Sequence, residues 1–312
     1  MSDRLWLLGA ADPEMERIEH LLKQTGEKFE YAEISGMRVN PGTAYMLRNI
    51  HDEVTHLVEC GTPETGLLTR IVIDHHRPGD KGFNKDYREF MEASSIGQVI
   101  SELAKLKKLD KLGWFSAVKE HMHDSIGDFR YSDENASWLC AVDVHEYEEG
   151  GEAFFVQTYR TVPYEYVLAA ASDHCPTQAY KGICAGVEPN EVMRFRAENK
   201  AKFLGITAKQ YIYRVERAMH YIKRAPTMNG IADLRRFGPK DLQEVPEASL
   251  RLGIPIMNTF MEKDGRQKFN CLGGDKEQIA WFKEYLRQNR YTDIYGDEER
   301  GYAGGYIQIS LC

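Results

Sequence analysis

Apolar and polar positions along the first part of this chain alternate between two rhythms. Arg4 to Gly9, RLWLLG, is a short apolar run that reads as a strand, and Glu14 to Gln24 then puts Met15, Ile18, Leu21 and Leu22 on one helical face. Ala10 to Pro13 supply the turn, and Gly26 stops the helix. Phe29 to Ile34 predicts a second strand, Asn40-Pro41-Gly42 a turn, and Val54 to Glu59 the next strand. RIVIDHH, ending at His76, is another. Strands and helices alternating in this way imply a mainly parallel sheet with right-handed crossovers.

Beyond His76, Arg77-Pro78-Gly79-Asp80 must leave the sheet, because Pro-Gly continues neither strand nor helix. Ser94 or Ser95 caps a helix carrying Ile96, Val99, Ile100, Leu103 and Leu106. WLCAVDVHEY reads as a strand ending in Asp143 and His145, AFFVQTY as another, with EYEEGGE as the turn between them; His121 and His123 read as polar helix residues. Small residues Ala169 to Ser172 precede Asp173-His174. Glu191 to Arg224 is polar and helical, its Arg and Lys residues forming a solvated face. After a break at Pro226 to Gly230, GIPIMNTF, QKFNCLGG, a helix from Lys276 to Arg290, and YGDEERGYAGGYIQIS make a small α/β unit.

The chemistry concentrates at strand ends. HLVEC and RIVIDHH deliver Glu59 and Asp74-His75-His76 to one edge of the sheet, and Asp12 and Glu14 follow the first strand. In an open parallel sheet the ligand crevice lies beyond the carboxyl ends of the strands. Carboxylate oxygens with neutral imidazole nitrogens suit a borderline divalent cation such as manganese. Taken alone, Asp12 and Glu14 read equally as an N-cap and a first-turn acid.

VIDHHRPGD, with ASSIGQVI at Ala93 to Ile100 after it, resembles the DHH phosphoesterase superfamily. That superfamily includes single-strand-specific exonucleases, small oligoribonucleases, cyclic-dinucleotide phosphodiesterases and a branch of inorganic pyrophosphatases. VECG falls where the family has a strand ending in Asp, and the match runs in order from about Trp6 to Asp173, with RGYAGGY at Arg300 to Tyr306 resembling the family's glycine-rich loop. The resemblance implies an α/β fold: a parallel-sheet DHH-type domain over 1–205 with an insertion at about 107–164, a helical linker over 206–229, and a smaller α/β substrate-clamping domain over 230–312.

It further implies one or two divalent ions, manganese or magnesium, held by Asp12, Glu14, Glu59, His75 and Asp173, with Asp143 the competitor for the last place. Asp74 orients the histidine pair, His76 faces the scissile phosphate, and Arg300, Gly304, Gly305 and His174 contact substrate. Glycine lets backbone amides approach phosphate oxygens and Arg binds two of them at once. The chain departs from the family at Gly9, where a metal-binding His is expected, and at Glu14 and Glu59, which replace aspartates. His174 can stand in for the missing imidazole.

Composition narrows the substrate more than the fold. At 312 residues with 42% hydrophobic and 28% charged content, the sequence is that of a globular protein with a sizeable core. A net charge of -8 disfavours long duplex nucleic acid, whose binding depends on neutralising phosphates, and favours a small or short anionic substrate held through metal. Six cysteines, at 60, 140, 175, 184, 271 and 312, show no zinc-like spacing. With no apolar run of membrane length and no signal-peptide pattern, the sequence reads as a cytoplasmic protein with reduced thiols, without a membrane partner.

Sequence reading thus leaves a metal-dependent phosphodiesterase acting on a short oligonucleotide or small cyclic nucleotide, or a catalytically silent nucleotide-binding protein on the same fold. A nicotinamide enzyme is disfavoured, because GAADPE lacks the Gly-x-Gly-x-x-Gly fingerprint and its acids repel a pyrophosphate.

Overall fold

A computed structural model describes residues 4–63, 70–120, 124–134, 136–149, 152–238, 242–262, 265–298 and 301–308. The chain is mixed α/β and divides into two compact units, Met1–Arg196 and Ala197–Cys312. Among the described residues no helix is long and apolar enough to cross a membrane.

The first unit opens with β1 (Leu5–Leu8), α1 (Pro13–Thr25), β2 (Lys28–Tyr31), the small hairpin β3 (Glu33–Ile34) and β4 (Met37–Arg38), then β5 (Val54–Val58) and β6 (Ile71–Ile73). Four of these strands form a sheet in the order β2-β1-β5-β6, every neighbouring pair parallel. Local sequence sets the turn from β1 into α1. Asp12 is the N-cap, accepting from Met15 N at 2.7 Å; Pro13 starts the helix, and Gly26 ends it at φ 71°. This is helix punctuation of the expected kind.

Leu7, Val54, Leu57 and Cys60 join one core with Ala32, Val39, Ala44 and Leu47, which β5 reaches through a register irregularity opposite Leu5 and Trp6 and the left-handed Glu59. Trp6 and Leu8 point the other way. The buried face of α1, with Met15, Ile18, Leu21 and Leu22, packs with the helices α3 (Ser95–Lys105) and α4 (Tyr164–His174). The short α2 (Phe90–Ala93) runs directly into α3, whose cap is Ser94, with Gly97 N donating to its Oγ at 3.2 Å.

Residues 116–161 form a separate antiparallel sheet in the order β7-β10-β9-β8, from β7 (Ser116–Glu120), β8 (Phe129–Ser132), β9 (Ser137–Glu149) and β10 (Glu152–Thr161). The expectation of a strand ending at Asp143 and His145 needs correction. Pairing with β10 continues past them, through His145 opposite Val156 to Glu149 opposite Glu152, so neither residue stands at a strand end. His121 and His123 lie outside the described residues.

After α4 come α5 (Pro176–Tyr180) and α6 (Pro189–Leu204), and the division between units falls within α6. The helical stretch expected from 191 to 224 is interrupted at Gly205, φ 64°, where a Thr207–Gln210 capping box starts α7 (Ala208–Arg224). The buried side of α7 carries Tyr211, Val215, Ala218 and Ile222 and packs on α8 (Val245–Leu252). Residues 206–229 thus fall within the second unit.

That unit holds β11 (Thr227–Met228), β12 (Ile231–Asp233), β13 (Ile256–Met261), β14 (Arg266–Leu272), α9 (Lys276–Gln288), β15 (Thr292–Asp297) and β16 (Tyr302–Gln308). Its sheet runs β11-β12-β13-β14-β16-β15. One face buries Met257, Phe269, Cys271 and Ala303 against Ile279, Phe282 and Leu286 of α9. Gly304 and Gly305 stand inside β16, opposite Asn270 and Phe269, rather than in a loop. A Cβ at Gly304 would meet the Tyr295 hydroxyl at 2.3 Å, so that glycine is required by packing. Arg300 lies outside the described residues.

Candidate metal centre

Register places the candidate side chains in a row. Leu8 pairs with Val58 and Val58 with Ile73, so the next residues, Gly9, Glu59 and Asp74, leave the same edge of the sheet together. Gly9 N donates to Val58 O at 2.9 Å and Glu59 N to Ile73 O at 3.0 Å, extending the ladder by one bond on each side. The approach is close enough that a Cβ at Gly9 would meet Glu59 O at 2.2 Å. No imidazole fits at position 9. Glu59 itself adopts φ 50°, a left-handed conformation rare for a side-chain-bearing residue.

The aspartate of the Asp-His-His run is a fully buried hub. Asp74 Oδ1 accepts from His75 N at 2.8 Å, His76 N at 3.0 Å and His76 Nδ1 at 2.9 Å, while Tyr45 OH donates to Oδ2 at 2.8 Å. Burial pushes this carboxyl up, but the bonds from His76 and Tyr45 outweigh it and leave Asp74 below its ordinary value. An ionised Asp74 can only accept, so His76 Nδ1 carries the proton and its Nε2 is left to face the site.

His75 is held at Nδ1 by Ser95 Oγ, 3.2 Å away, and its Nε2 lies 2.7 Å from Asp173 Oδ2. The two rings stack, centroids 4.2 Å apart. Ligand atoms of Glu59, His75, His76 and Asp173 all lie within 4.8 Å of one another, close enough to bind one metal ion. Asp173 comes from the last turn of α4, a whole subdomain later in the chain. Asp143, its competitor, instead lies on β9 and pairs with His145 at 3.0 Å.

Asp12 and Glu14 border this group without belonging to its four. Asp12 is engaged as the cap of α1, and Glu14 Oε1 accepts from Ile96 N, at the start of α3, at 2.9 Å. The other Glu14 oxygen, Oε2, is buried with no hydrogen-bond partner, and so is Glu59 Oε1. Burial, then the charge of Asp173, pushes Asp12 up to about 6. Burial, then Asp12 and Asp173, pushes Glu59 up to about 8, and burial, then Asp173 and Glu59, raises Glu14 well above its usual range. Asp173 departs the other way: against burial, the His75 bond holds it down to about 2.

These features fit a divalent cation. Two orphaned carboxylate oxygens, mutually repelling acids and two imidazoles with fixed Nδ1 positions form a donor set that a cation would satisfy and neutralise. Carboxylate-rich sets with imidazole suit manganese, and carboxylate alone suits magnesium.

His174 is not in the four-residue group. Its Nε2 pairs with Lys85 O at 3.1 Å and its ring meets His75 edge-on at 5.6 Å; burial and His75 lower its pKa. Residues that sequence reasoning passed over support the site. Gln98 Nε2 donates to Asp74 O at 3.0 Å and Ala93 O at 2.8 Å, and Arg77 stacks over Tyr45 at 3.9 Å. Gln98, a polar residue amid Ile96, Val99 and Ile100, carried a signal; Tyr45 carried none. In the second unit, a groove of about 470 Å³ along α7 is lined by exposed Lys209, Tyr213 and Arg217 and by Arg214, which pairs with Glu244 at 3.7 Å.

The chain matches no family model and no curated protein.

Proposed function

We propose that this protein is a divergent metal-dependent phosphoesterase of the DHH kind, hydrolysing a phosphodiester in a short oligonucleotide or small cyclic nucleotide. The observation that carries this reading is the convergence of Glu59, His75, His76 and Asp173 within 4.8 Å at the carboxyl edge of a parallel sheet, with a partnerless Glu59 oxygen among them. Manganese or magnesium would be held there by Glu59, His75 and Asp173, with Glu14 and Asp12 beside them. Such a cation would supply Lewis acidity to a phosphoryl oxygen and lower the pKa of water bound to it.

The chain's own groups then orient and stabilise. Asp74 fixes His76 in one tautomer and aims its Nε2 outward, towards a substrate phosphate. Burial alone would lower His76, but the Asp74 hydrogen bond and the charges of Glu59, Asp74 and Asp173 raise it to about 9 in the metal-free protein. The net charge of -8 supports a small substrate over a long polymer. Substrate contacts from Arg300 and from His174 belong to the same proposal.

A second reading, a silent nucleotide binder, is favoured by one observation: position 9 has no room for a ligand, which leaves a smaller donor set for a two-metal mechanism. The test is incubation of the manganese-loaded full chain with a linear dinucleotide, a cyclic dinucleotide and pyrophosphate, with products resolved by chromatography. Cleavage of a dinucleotide, lost in His76→Ala, supports the esterase. Intact ligand co-eluting with excess loaded protein supports the binder.

A further inference from the structure

The helix that carries Asp173 ends in a thiol touching a second thiol. Cys175 Sγ and Cys184 Sγ lie 3.3 Å apart, and each residue is only 3% exposed. Cys175 is the C-cap of α4, its N–H donating to Ala171 O at 3.2 Å, and its own carbonyl accepts from Ala179 N of α5 at 2.9 Å. Cys184 sits in the connection from α5 to α6, between Gly182 at φ 70° and Gly186 at φ 68°. Neither thiol has a role in the site described above.

A disulfide requires sulfurs roughly 2.0 Å apart, so this pair must close by about 1.3 Å. The turn around Cys184, flanked by two glycines, can give part of that distance. Side-chain rotation gives a further part, and what remains falls on the end of α4. Asp173 is two residues from Cys175, and its Oδ2 is 2.7 Å from His75 Nε2. A ligand group functions only when held within roughly 0.5 Å of its place, so a shift of this turn misplaces Asp173.

We propose that Cys175 and Cys184 form an oxidation site, in which a hydroperoxide converts the two thiols to a disulfide and thereby weakens metal binding at the Asp173 group. The second half of the proposal rests on the metal-centre reading. The step balances as follows: one sulfur attacks the peroxide oxygen, becoming a sulfenic acid as the O–O bond breaks and alcohol or water leaves. The other sulfur then displaces the sulfenic oxygen as water, forming the S–S bond. Two thiols are oxidised by two electrons and the peroxide is reduced by two. Burial of both sulfurs selects a small oxidant such as hydrogen peroxide over a bulky disulfide or protein oxidant.

The test uses the full chain, reduced and then treated with hydrogen peroxide. Peptide mapping without reductant should find the peptides containing Cys175 and Cys184 joined, with the mass of two hydrogens lost. Manganese titration should show affinity about tenfold weaker in the oxidised form, the scale of losing support to a ligand. A phosphine reductant should restore both, and Cys184→Ser should show neither change. Free thiols at 175 and 184 after oxidation overturn the proposal, as does a mapped disulfide with unchanged manganese affinity. A mapped disulfide in a protein that binds no manganese in either form supports the oxidation site but overturns its link to the metal, and with it the metal-centre reading.

Discussion

His75 Nε2 and Asp173 Oδ2 stand 2.7 Å apart, joining the loop after β6 to the last turn of α4. Between them in the chain lies the entire antiparallel sheet of residues 116–161, so the candidate centre forms only when α4 has docked beside α1 and α3. Its integrity therefore reports on tertiary structure, and substitutions in its support should register as loss of stability and of metal binding together.

Position 9 gives the most local test. Because a Cβ there would meet Glu59 O at 2.2 Å, Gly9→Ala must push β1 and β5 apart at the edge that presents Glu59. The expected cost is about 1–3 kcal/mol of stability, the usual range for overpacking. Chemical denaturation measures it, and a change near zero would mean that the edge is slack.

The Asp74 hub predicts a graded pair of losses. Tyr45→Phe removes one hydrogen bond to a charged carboxylate and should cost about 1.5–3 kcal/mol. Asp74→Ala strands His75 N, His76 N, His76 Nδ1 and Tyr45 OH at once and should cost more, about 3–5 kcal/mol. Equal effects in the two variants would contradict the hub.

The acid limb of stability should come in part from Glu27. Burial raises this carboxyl, but bonds from Arg4, Lys108 and Trp6 overcome it and hold it down to about 2. A depressed carboxyl stabilises the fold above its unfolded value of 4.5, and that contribution is lost as pH falls towards 2. Glu27→Gln should therefore cost on the order of 2–3 kcal/mol at pH 7 and converge on the wild type near pH 2. A difference independent of pH would assign the loss to packing.

The metal-free site predicts the opposite slope at higher pH. Glu59 rises from 4.5 to about 8 and Asp12 from 3.8 to about 6. A raised carboxyl binds its proton more tightly in the fold, so its stabilisation is full below the unfolded value and fades as pH climbs through the folded one. His76, raised to about 9, has the same sign, its contribution fading between 6.5 and 9. Metal-free protein should thus melt at progressively lower temperature from pH 5 to pH 9, and manganese should flatten the trend, because cation binding needs the deprotonated acids. A flat metal-free profile would count against the proposed crowding of acids.

Much of this was legible before the structure. Apolar runs of strand length ending in Glu59 and Asp74, with Asp12 ahead of a Pro-started helix, specify a parallel edge because each run and cap is a local signal. Asp173 follows the small residues Ala169 to Ser172 and comes within reach of Glu59, His75 and His76 only through the packing of its helix. The strand through Asp143 runs past the end its own residues suggest, since its length is set by pairing with β10. Tyr45 and the contact of Cys175 with Cys184 depend on chain reversals that leave no periodic trace. Gly304 and Gly305 read as a loop from composition, yet packing against Tyr295 and α9 makes them strand residues.

The most direct measurement compares thermal melting of metal-depleted wild type and Glu59→Gln at pH 8, with and without manganese, alongside elemental analysis. Glu59 is buried, crowded by Asp12 and Asp173, and has an oxygen without a partner. Removing its charge should make the metal-free variant melt no lower than the metal-free wild type. Manganese should stabilise the wild type, by about 2.7 kcal/mol at a hundredfold excess over its dissociation constant, and leave the variant unmoved. If the wild type retains no manganese and does not shift, or if Glu59→Gln shifts equally, the group at the sheet edge is not a metal centre.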